Sequence, residues 1–467
     1  MSSMMRRIDR GMCPDRYQHE ASRPLIIGII PHTMCNPQVR GCGYCTFPHH
    51  AYRAPLVAST AAAVRAEITA SVARVPSLRQ RAVPAVYLGG GTANLGPAEH
   101  LQSILTTLAA SYDLSNAEVT LEGVPAYFSI NNEAMLRMLQ GVSCRQHRVS
   151  MGVQTFDATW LSRMGRTHFG DQSVVATVRR RAVEMDFTTS CDLLYNLPGA
   201  SDQVAQDDVA RAIDMGFDQI CIYNLVLGRG IPSAWAGDAG MIAAMRSNDE
   251  ACRAWISLRD TLLQHGYVQQ TLTNFERADV AGTPRGFAYE KLSFKPLDVD
   301  GIGYGPGAIS TIIGHRHQTV KWSNTAELEG EQSYASQIQE CGHAALSSFD
   351  YDSMDLVLLA LTRGLATASV RPRSIYATVN NMRIQYGLHA LDAQGTHACL
   401  AVLEQERLLV RDGEDDVLTL TPRGMFYADS VVGFLSHQQM SRMTPRFYDT
   451  HATWSSLKDT GNSHGHM

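Results

Sequence analysis

The sequence predicts an α/β fold: a parallel sheet with helices outside it, closed into a full or partial barrel, followed by a smaller, mostly helical module. Three observations carry that expectation. From residue 25 to about 225, short apolar runs rich in β-branched residues alternate with helix-length periodic stretches. Strands that return to a parallel neighbour through a helix produce this spacing. Glycines and isolated acids or amides mark the ends of the apolar runs, and beyond about residue 349 the alternation gives way to helical periodicity.

Taken in order, LIIGII at 25–30 reads as a buried strand, and the alanine-rich stretch 59–75 as a helix. AVYL at 85–88 is a strand stopped by Gly89-Gly90-Gly91, and a helix follows over 98–110. The alternation continues with strand 118–122, helix 132–139, strand 148–153, helix 173–185, strand 188–194, helix 201–215 and strand 219–225. Barrels of this kind gather their chemistry at the C-terminal strand ends. A cysteine-bearing loop, the triple glycine, Glu122, Gln154 and Asp192 all fall at or just past such ends, so they can converge.

Further on, 352–365 is an amphipathic helix, and RLLVRDGEDDVLTL at 407–420 places two apolar runs around an acidic, glycine-containing turn, a hairpin pattern. A last helix spans about 422–435. This reads as a winged-helix-like module that is structural or covers substrate, and its acidic hairpin tip argues against DNA binding. The chain divides into an N-terminal extension 1–24, a barrel domain 25–345, a C-terminal domain 346–440 and a polar tail 441–467. His464 and His466 read as tail composition.

The 467 residues are 45% hydrophobic and 18% charged, with a formal charge of −5, which excludes a general nucleic-acid binder. No uninterrupted apolar run approaches the ~18–20 residues of a membrane span. The basic, polar stretch 1–23 lacks a secretory h-region, so a cytoplasmic protein is expected. Ten cysteines in a chain this long do not make a disulfide scaffold, and seven of them stand singly.

The other three, Cys35, Cys42 and Cys45, lie in one loop with the spacing C-x6-C-x2-C. Three thiolates can ligate three irons of a 4Fe–4S cubane and leave the fourth open, where the amine and carboxylate of S-adenosylmethionine (SAM) can chelate. Two alternatives stay open on these residues alone. One is a zinc site completed by His49 or His50. The other is a redox pair of Cys42 and Cys45, which leaves Cys35 idle.

Eight ordered blocks across residues 25 to 435 resemble the oxygen-independent coproporphyrinogen III oxidase family of radical SAM enzymes. They include GYCTF at the cysteines, YLGGGT at 87–92, LEGVP around Glu122, MGVQTFD at 151–157, LSRMGRTH at 161–168, DLLYNLPG at 192–199 and GIGYGPGAIS at 301–310; Tyr223 falls in a further matching stretch, and LTLTPRGMFYAD at 418–429 looks like the family's closing element. The resemblance implies a radical SAM partial (β/α)6 barrel with a winged-helix-like C-terminal domain. It implies that Gly89, Gly90, Gly91 and Thr92 approach the SAM amino group, Glu122 the ribose hydroxyls and Arg166 the SAM carboxylate. By the same resemblance Gln154, Asp192 and Tyr223 line the SAM region, and Gly305 and Gly307 close a loop over a second ligand. The catalytic residue acting on substrate is not named by any of these motifs.

The chain departs from that family at the cluster. The family's approach Y-x-H-I-P-F-C is here IGIIPHTMC, the spacing carries three residues more than the common C-x3-C-x2-C, and Phe47 stands where true coproporphyrinogen oxidases carry another cysteine. No basic cluster suited to a porphyrinogen's carboxylates is visible. These departures resemble the class C radical SAM methyltransferases of natural-product pathways. That branch implies two SAM molecules and methylation or cyclopropanation of an sp2 carbon in a small molecule, with an electron donor such as flavodoxin or ferredoxin and no membrane or nucleic-acid partner. Porphyrinogen decarboxylation or haem modification, another SAM-derived transfer or rearrangement, and a haem chaperone without catalysis are the alternatives.

Overall fold

The computed structural model describes residues 5–7, 22–36, 42–48, 50–228, 230–313, 319–385, 387–412 and 417–443. Residues 37–41 of the cysteine loop, His49, the hairpin tip and the tail beyond 443, with His464 and His466, lie outside this set. Six strands, β1 (Leu25–Ile29), β2 (Ala85–Leu88), β3 (Glu118–Gly123), β4 (Gln146–Gln154), β5 (Thr188–Tyr195) and β6 (Gln219–Asn224), lie side by side in chain order. Every pair among them is parallel. Helices α1 (Ala54–Arg74), α2 (Ala98–Ser111), α3 (Pro125–Gln140), α4 (Gln172–Glu184), α5 (Asp202–Met215) and α6 (Asn248–Gln264) follow them in turn. The sheet keeps two edges, so the expected partial (β/α)6 barrel is the architecture.

Alternation along the strands decides what the barrel can hold. Ile27, Val86, Leu121, Val149, Cys191 and Ile220 face the helices and join the main core. The opposite face is polar: the register sets Gly28 beside Tyr87, Glu122 beside Ser150, and Asp192 between Gly152 and Cys221. A sheet face this polar is poor core material. It forms the wall of a lumen.

Several boundaries differ from the sequence reading. Helix α1 starts at Ala54, five residues early, because Pro55 occupies the first turn, where a missing N–H costs nothing. Helix α3 begins at Pro125 and is interrupted at residues 130–133, with Asn131, Asn132 and Glu133 in left-handed geometry. Helix α1 is also long and apolar enough by composition to cross a membrane, which the search for uninterrupted apolar runs passed over. In the fold half of its most apolar stretch is buried, and it packs on α2.

The sequence reading missed an antiparallel extension of the sheet. On one side β6 pairs with β8 (Asn274–Arg277), and β8 with β7 (Tyr267–Gln269). On the other, β9 (Asp300–Tyr304) runs parallel to β1 and is followed by β10 (Ile309–Ile313), β11 (Thr319–Asn324) and β12 (Ala345–Tyr351). Strand Met5–Arg7 of the N-terminal extension pairs with β12. Because β12 runs to Tyr351, the large sheet extends past residue 345.

The remaining chain forms helix Ser353–Leu365, strand Ser369–Val370, helices Pro372–Ile384 and Gln394–Gln405, and the hairpin Leu409–Asp412/Val417–Leu420. The short strand pairs with the hairpin, as in a winged helix. The closing helix predicted over 422–435 is two helices, Pro422–Phe426 and Ala428–Met443.

Candidate active site in the barrel lumen

Strand β1 delivers the chain to the cysteine loop. Met34–Cys35 forms a two-residue parallel pairing with His50–Ala51, and Thr33 Oγ1 lies 2.9 Å from His50 Nδ1. Cys42 and Gly43 both take left-handed backbone, φ 60° and 77°, and so turn the loop back on itself. The three thiols carry no disulfide and are partly exposed. They are close enough to act on one another: burial pushes the Cys35 and Cys45 thiols above their ordinary range, and the charge of Cys42 pushes each further. A hydrogen bond with Thr92 pulls Cys35 back down.

Among the described residues no three His, Cys, Asp or Glu side chains come together to hold a single metal ion. A cubane spreads its ligands over three separate irons and sets a different requirement. Three mutually interacting thiols in one partly exposed loop meet it. A basic side chain stands beside them: Arg166 donates from Nη1 to Cys42 Sγ at 3.5 Å and from Nη2 to the Gly152 carbonyl. Arg166 is 4% exposed, and its Nε has no hydrogen-bond partner. A buried guanidinium with a spare donor next to the cysteines fits a carboxylate ligand. The residues therefore fit both a 4Fe–4S cluster on Cys35, Cys42 and Cys45 and SAM beside it.

The other predicted residues fall into two groups. Gly89 to Thr92 run beneath the cysteine loop: Gly89 N donates to Ile29 O and Thr92 N to Met34 O. A Cβ at Gly91 would lie 2.9 Å from the Thr33 carbonyl carbon, so glycine is what allows the two chains to pass. Glu122 accepts from Tyr87 Oη at 2.9 Å. Gln154 sits at a bulge of β4 with φ 73°, a strained geometry for a non-glycine residue and one concentrated at functional positions. Asp192 accepts from Ser150 at 3.3 Å, and Tyr223 keeps 37% of its surface exposed although the barrel surrounds it. Side chains enclosed by protein yet accessible to solvent are cavity walls. Burial, then the neighbouring Glu122, pushes the Asp192 carboxyl up to about 7.

Gly305 and Gly307 do not join this group. Gly305 N donates to Glu67 at 2.9 Å, and the space above its Cα is filled by the Ile30 carbonyl. The 301–310 segment is the corner between β9 and β10, packed on β1. Gly305 packs on the Ile30 backbone just beyond the parallel pairing of β9 with β1, whereas a Cβ at Gly307 would meet nothing nearer than Ala326 Cβ at 3.5 Å.

Sequence reading also missed residues. Trp235 N donates to Gly43 O at 2.8 Å, and the indole lies 5.7 Å from the Tyr44 ring and 5.9 Å from that of Trp160. These aromatics pin the cysteine loop. Asn36 donates to Tyr127 Oη at 2.7 Å on another side. The backbone ahead of the short helix Tyr289–Ser293 meets the lower strand ends, Ala288 N donating to Glu118 Oε2 at 2.9 Å. None of these sits in a motif with a recognisable spacing.

Arg166→Ala is expected to weaken SAM binding by about 10- to 100-fold, the ~1.5–3 kcal/mol of a hydrogen bond to a charged group. Equilibrium binding to the reconstituted protein measures it, and unchanged affinity would place the SAM carboxylate elsewhere.

No family model matches the chain. It is 25% identical over 302 residues to the heme chaperone HemW of Lactococcus lactis, covering 64% of this chain and 76% of that protein. It is 28% identical over 404 residues to the heme chaperone HemW of Mycobacterium tuberculosis, covering 84% and 90%. The solved structure of Escherichia coli coproporphyrinogen III oxidase, HemN, a radical SAM enzyme, superposes with a TM-score of 0.67 over 89% of this chain and 91% of that one, at 20% identity. That likeness accounts for the barrel and the helical C-terminal region alike. The chain is thus similar in sequence to HemW proteins and shares the fold of the radical SAM enzyme HemN, and its cysteine loop fits the cluster and SAM of such an enzyme.

Proposed function

We propose that the chain reductively cleaves SAM to a 5′-deoxyadenosyl radical and, with a second SAM, alkylates an sp2 carbon of a specialised metabolite by methylation or cyclopropanation. The observation that carries the first step is the Arg166 guanidinium, bonded to Cys42 with a spare buried N–H. When bound, the reduced cluster supplies the electron that breaks the sulfonium bond. The chain's own residues bind and orient. Arg166 holds the SAM carboxylate, and Glu122, aligned by Tyr87, accepts from the ribose hydroxyls. Asp192, with its raised proton affinity, can carry a proton near neutrality and donate as well as accept. Flavodoxin or ferredoxin in the cytoplasm would supply the electron.

The alkylation step is supported by the divergent cysteine loop alongside retained SAM-side residues. A second reading, haem-related, is favoured by the names of the relatives: porphyrinogen oxidation, or haem carriage without SAM turnover. The two separate on products. With SAM deuterated at the methyl group, alkylation puts one deuterium into 5′-deoxyadenosine and releases S-adenosylhomocysteine. The radical must abstract from the second methyl at a near-attack distance of roughly 3–3.5 Å. Deuterium-free deoxyadenosine with no S-adenosylhomocysteine would overturn alkylation, and stoichiometric haem binding without SAM cleavage would establish the chaperone reading.

A further inference from the structure

The chain between β6 and α6 forms a strap beyond the C-terminal strand ends. It is tied to the end of β5 at both sides, Leu225 N donating to Tyr195 O at 3.1 Å and Gly199 N to Ala244 O at 2.8 Å. At its middle Trp235 N donates to Gly43 O at 2.8 Å, between the second and third cysteines. The indole completes this contact. A Cβ at Gly43 would fall 2.0 to 2.5 Å from Nε1, Cδ1 and Cε2 of Trp235, so the ring fills the space a side chain would take.

Trp235 belongs to an apolar cluster separate from the main core, built with Trp160, Met164, Leu194 and Leu225, and Tyr44 of the cysteine loop packs against it. Trp160 lies on the helix Ala158–Arg163 after β4, Leu194 on β5 and Leu225 just past β6. Segments at the ends of three consecutive strands thus converge on the Cys42–Cys45 span. Trp235 and Trp160 are 8% and 5% exposed, and their rings lie 5.9 Å apart. The exposed Arg163 guanidinium stacks on Trp160 at 4.6 Å. The cysteine loop therefore has polar neighbours in Thr92 at Cys35 and Arg166 at Cys42, and a hydrocarbon collar over the backbone between Cys42 and Cys45.

Reduction adds one negative charge to an iron–sulfur cluster. Water stabilises that charge and an apolar wall does not, so excluding water lowers the reduction potential. We propose that Trp235 is a positioning residue for the cluster: by holding and sealing the Cys42–Cys45 backbone it keeps the cluster's potential low. A low potential favours passing the electron to the sulfonium. This rests on the reading of Cys35, Cys42 and Cys45 as cluster ligands.

The test is a redox titration of anaerobically reconstituted protein without SAM, followed by the reduced-state paramagnetic signal, with iron counted on the same samples. Trp235→Ala should favour the reduced cluster about tenfold, a rise of about 59 mV for one electron. Trp235→Phe, which keeps an aromatic ring over Gly43, should restore most of the wild-type value. Trp235→Leu uncovers only part of Gly43 and should give a smaller rise; it decides the matter if the alanine variant fails to hold iron. Trp255→Leu removes a tryptophan of the main core on α6, 3% exposed, and should leave the potential where it is. An unmoved or lowered potential in the Trp235 variants, or an equal rise in Trp255→Leu, would overturn the proposal. A wild type with no paramagnetic cluster sinks the cluster reading and this inference with it, whereas a wild-type cluster with unmoved variants sinks only the inference.

Discussion

Replacing Cys35, Cys42 and Cys45 together by alanine is expected to take iron from about four per chain to background and to abolish deoxyadenosine formation. Each thiolate would hold a different iron of the cluster, so the loss of all three leaves it without protein ligands. Cys144, Cys191, Cys221, Cys252, Cys341 and Cys399 stand elsewhere in the fold, and no three metal-ligating side chains come together among the described residues. Cys341→Ala, on a helix outside the barrel, should keep the iron and the reduced-state paramagnetic signal. Iron analysis and low-temperature spectroscopy on anaerobic samples read both. A triple variant that still holds a SAM-perturbed cluster would remove the central assignment, and stoichiometric zinc in the wild type would replace it.

Gly305→Ala should be the most damaging single substitution at a position that touches no ligand. The residue has φ 107°, and a Cβ there would fall on the Ile30 carbonyl oxygen, just past the parallel pairing of β9 with β1. Overpacking adds about 1–3 kcal/mol and left-handed backbone about 1–2 kcal/mol, so a loss of roughly 2–5 kcal/mol is expected. Gly307→Ala is the contrast. Its φ is 74°, but the nearest atom to a new Cβ is Ala326 Cβ at 3.5 Å, so only the backbone cost of about 1–2 kcal/mol applies. Urea midpoints of the two variants measure the difference. Equal, small losses that come with weakened binding of a second SAM would restore the lid reading of this loop.

Local pattern was enough to read the barrel. Strands β1 to β6 and their helices each have a period of their own, and a buried apolar run followed by a glycine or a lone acid marks a strand end wherever the chain goes next. The cysteine spacing was legible for the same reason, since three ligands in one short loop need no distant partner. Strands β7 to β12 were not legible. They are short, they lie at the sheet margins and pair antiparallel except where β9 runs parallel to β1, and their register is imposed by the neighbours they meet.

The same division runs through the site. Glu122, Arg166 and Asp192 lie in motifs, whereas Ala288, just ahead of a short helix at 289–293, donates to Glu118 170 positions away. Trp235 reaches Gly43 across the barrel mouth in the same manner. Gln154 took its left-handed geometry from a bulge between β4 and β5, which no residue type announces. By itself the sequence determined the periodic elements, the cysteine loop and the polar strand ends, because each depends on neighbours within a few residues. Tertiary structure alone decided that Gly305 packs against a carbonyl and that the polar strand faces set Glu122 beside Ser150 and Asp192 beside Cys221. Those properties depend on which distant strands become neighbours, and proximity across the barrel leaves no periodic trace in the chain.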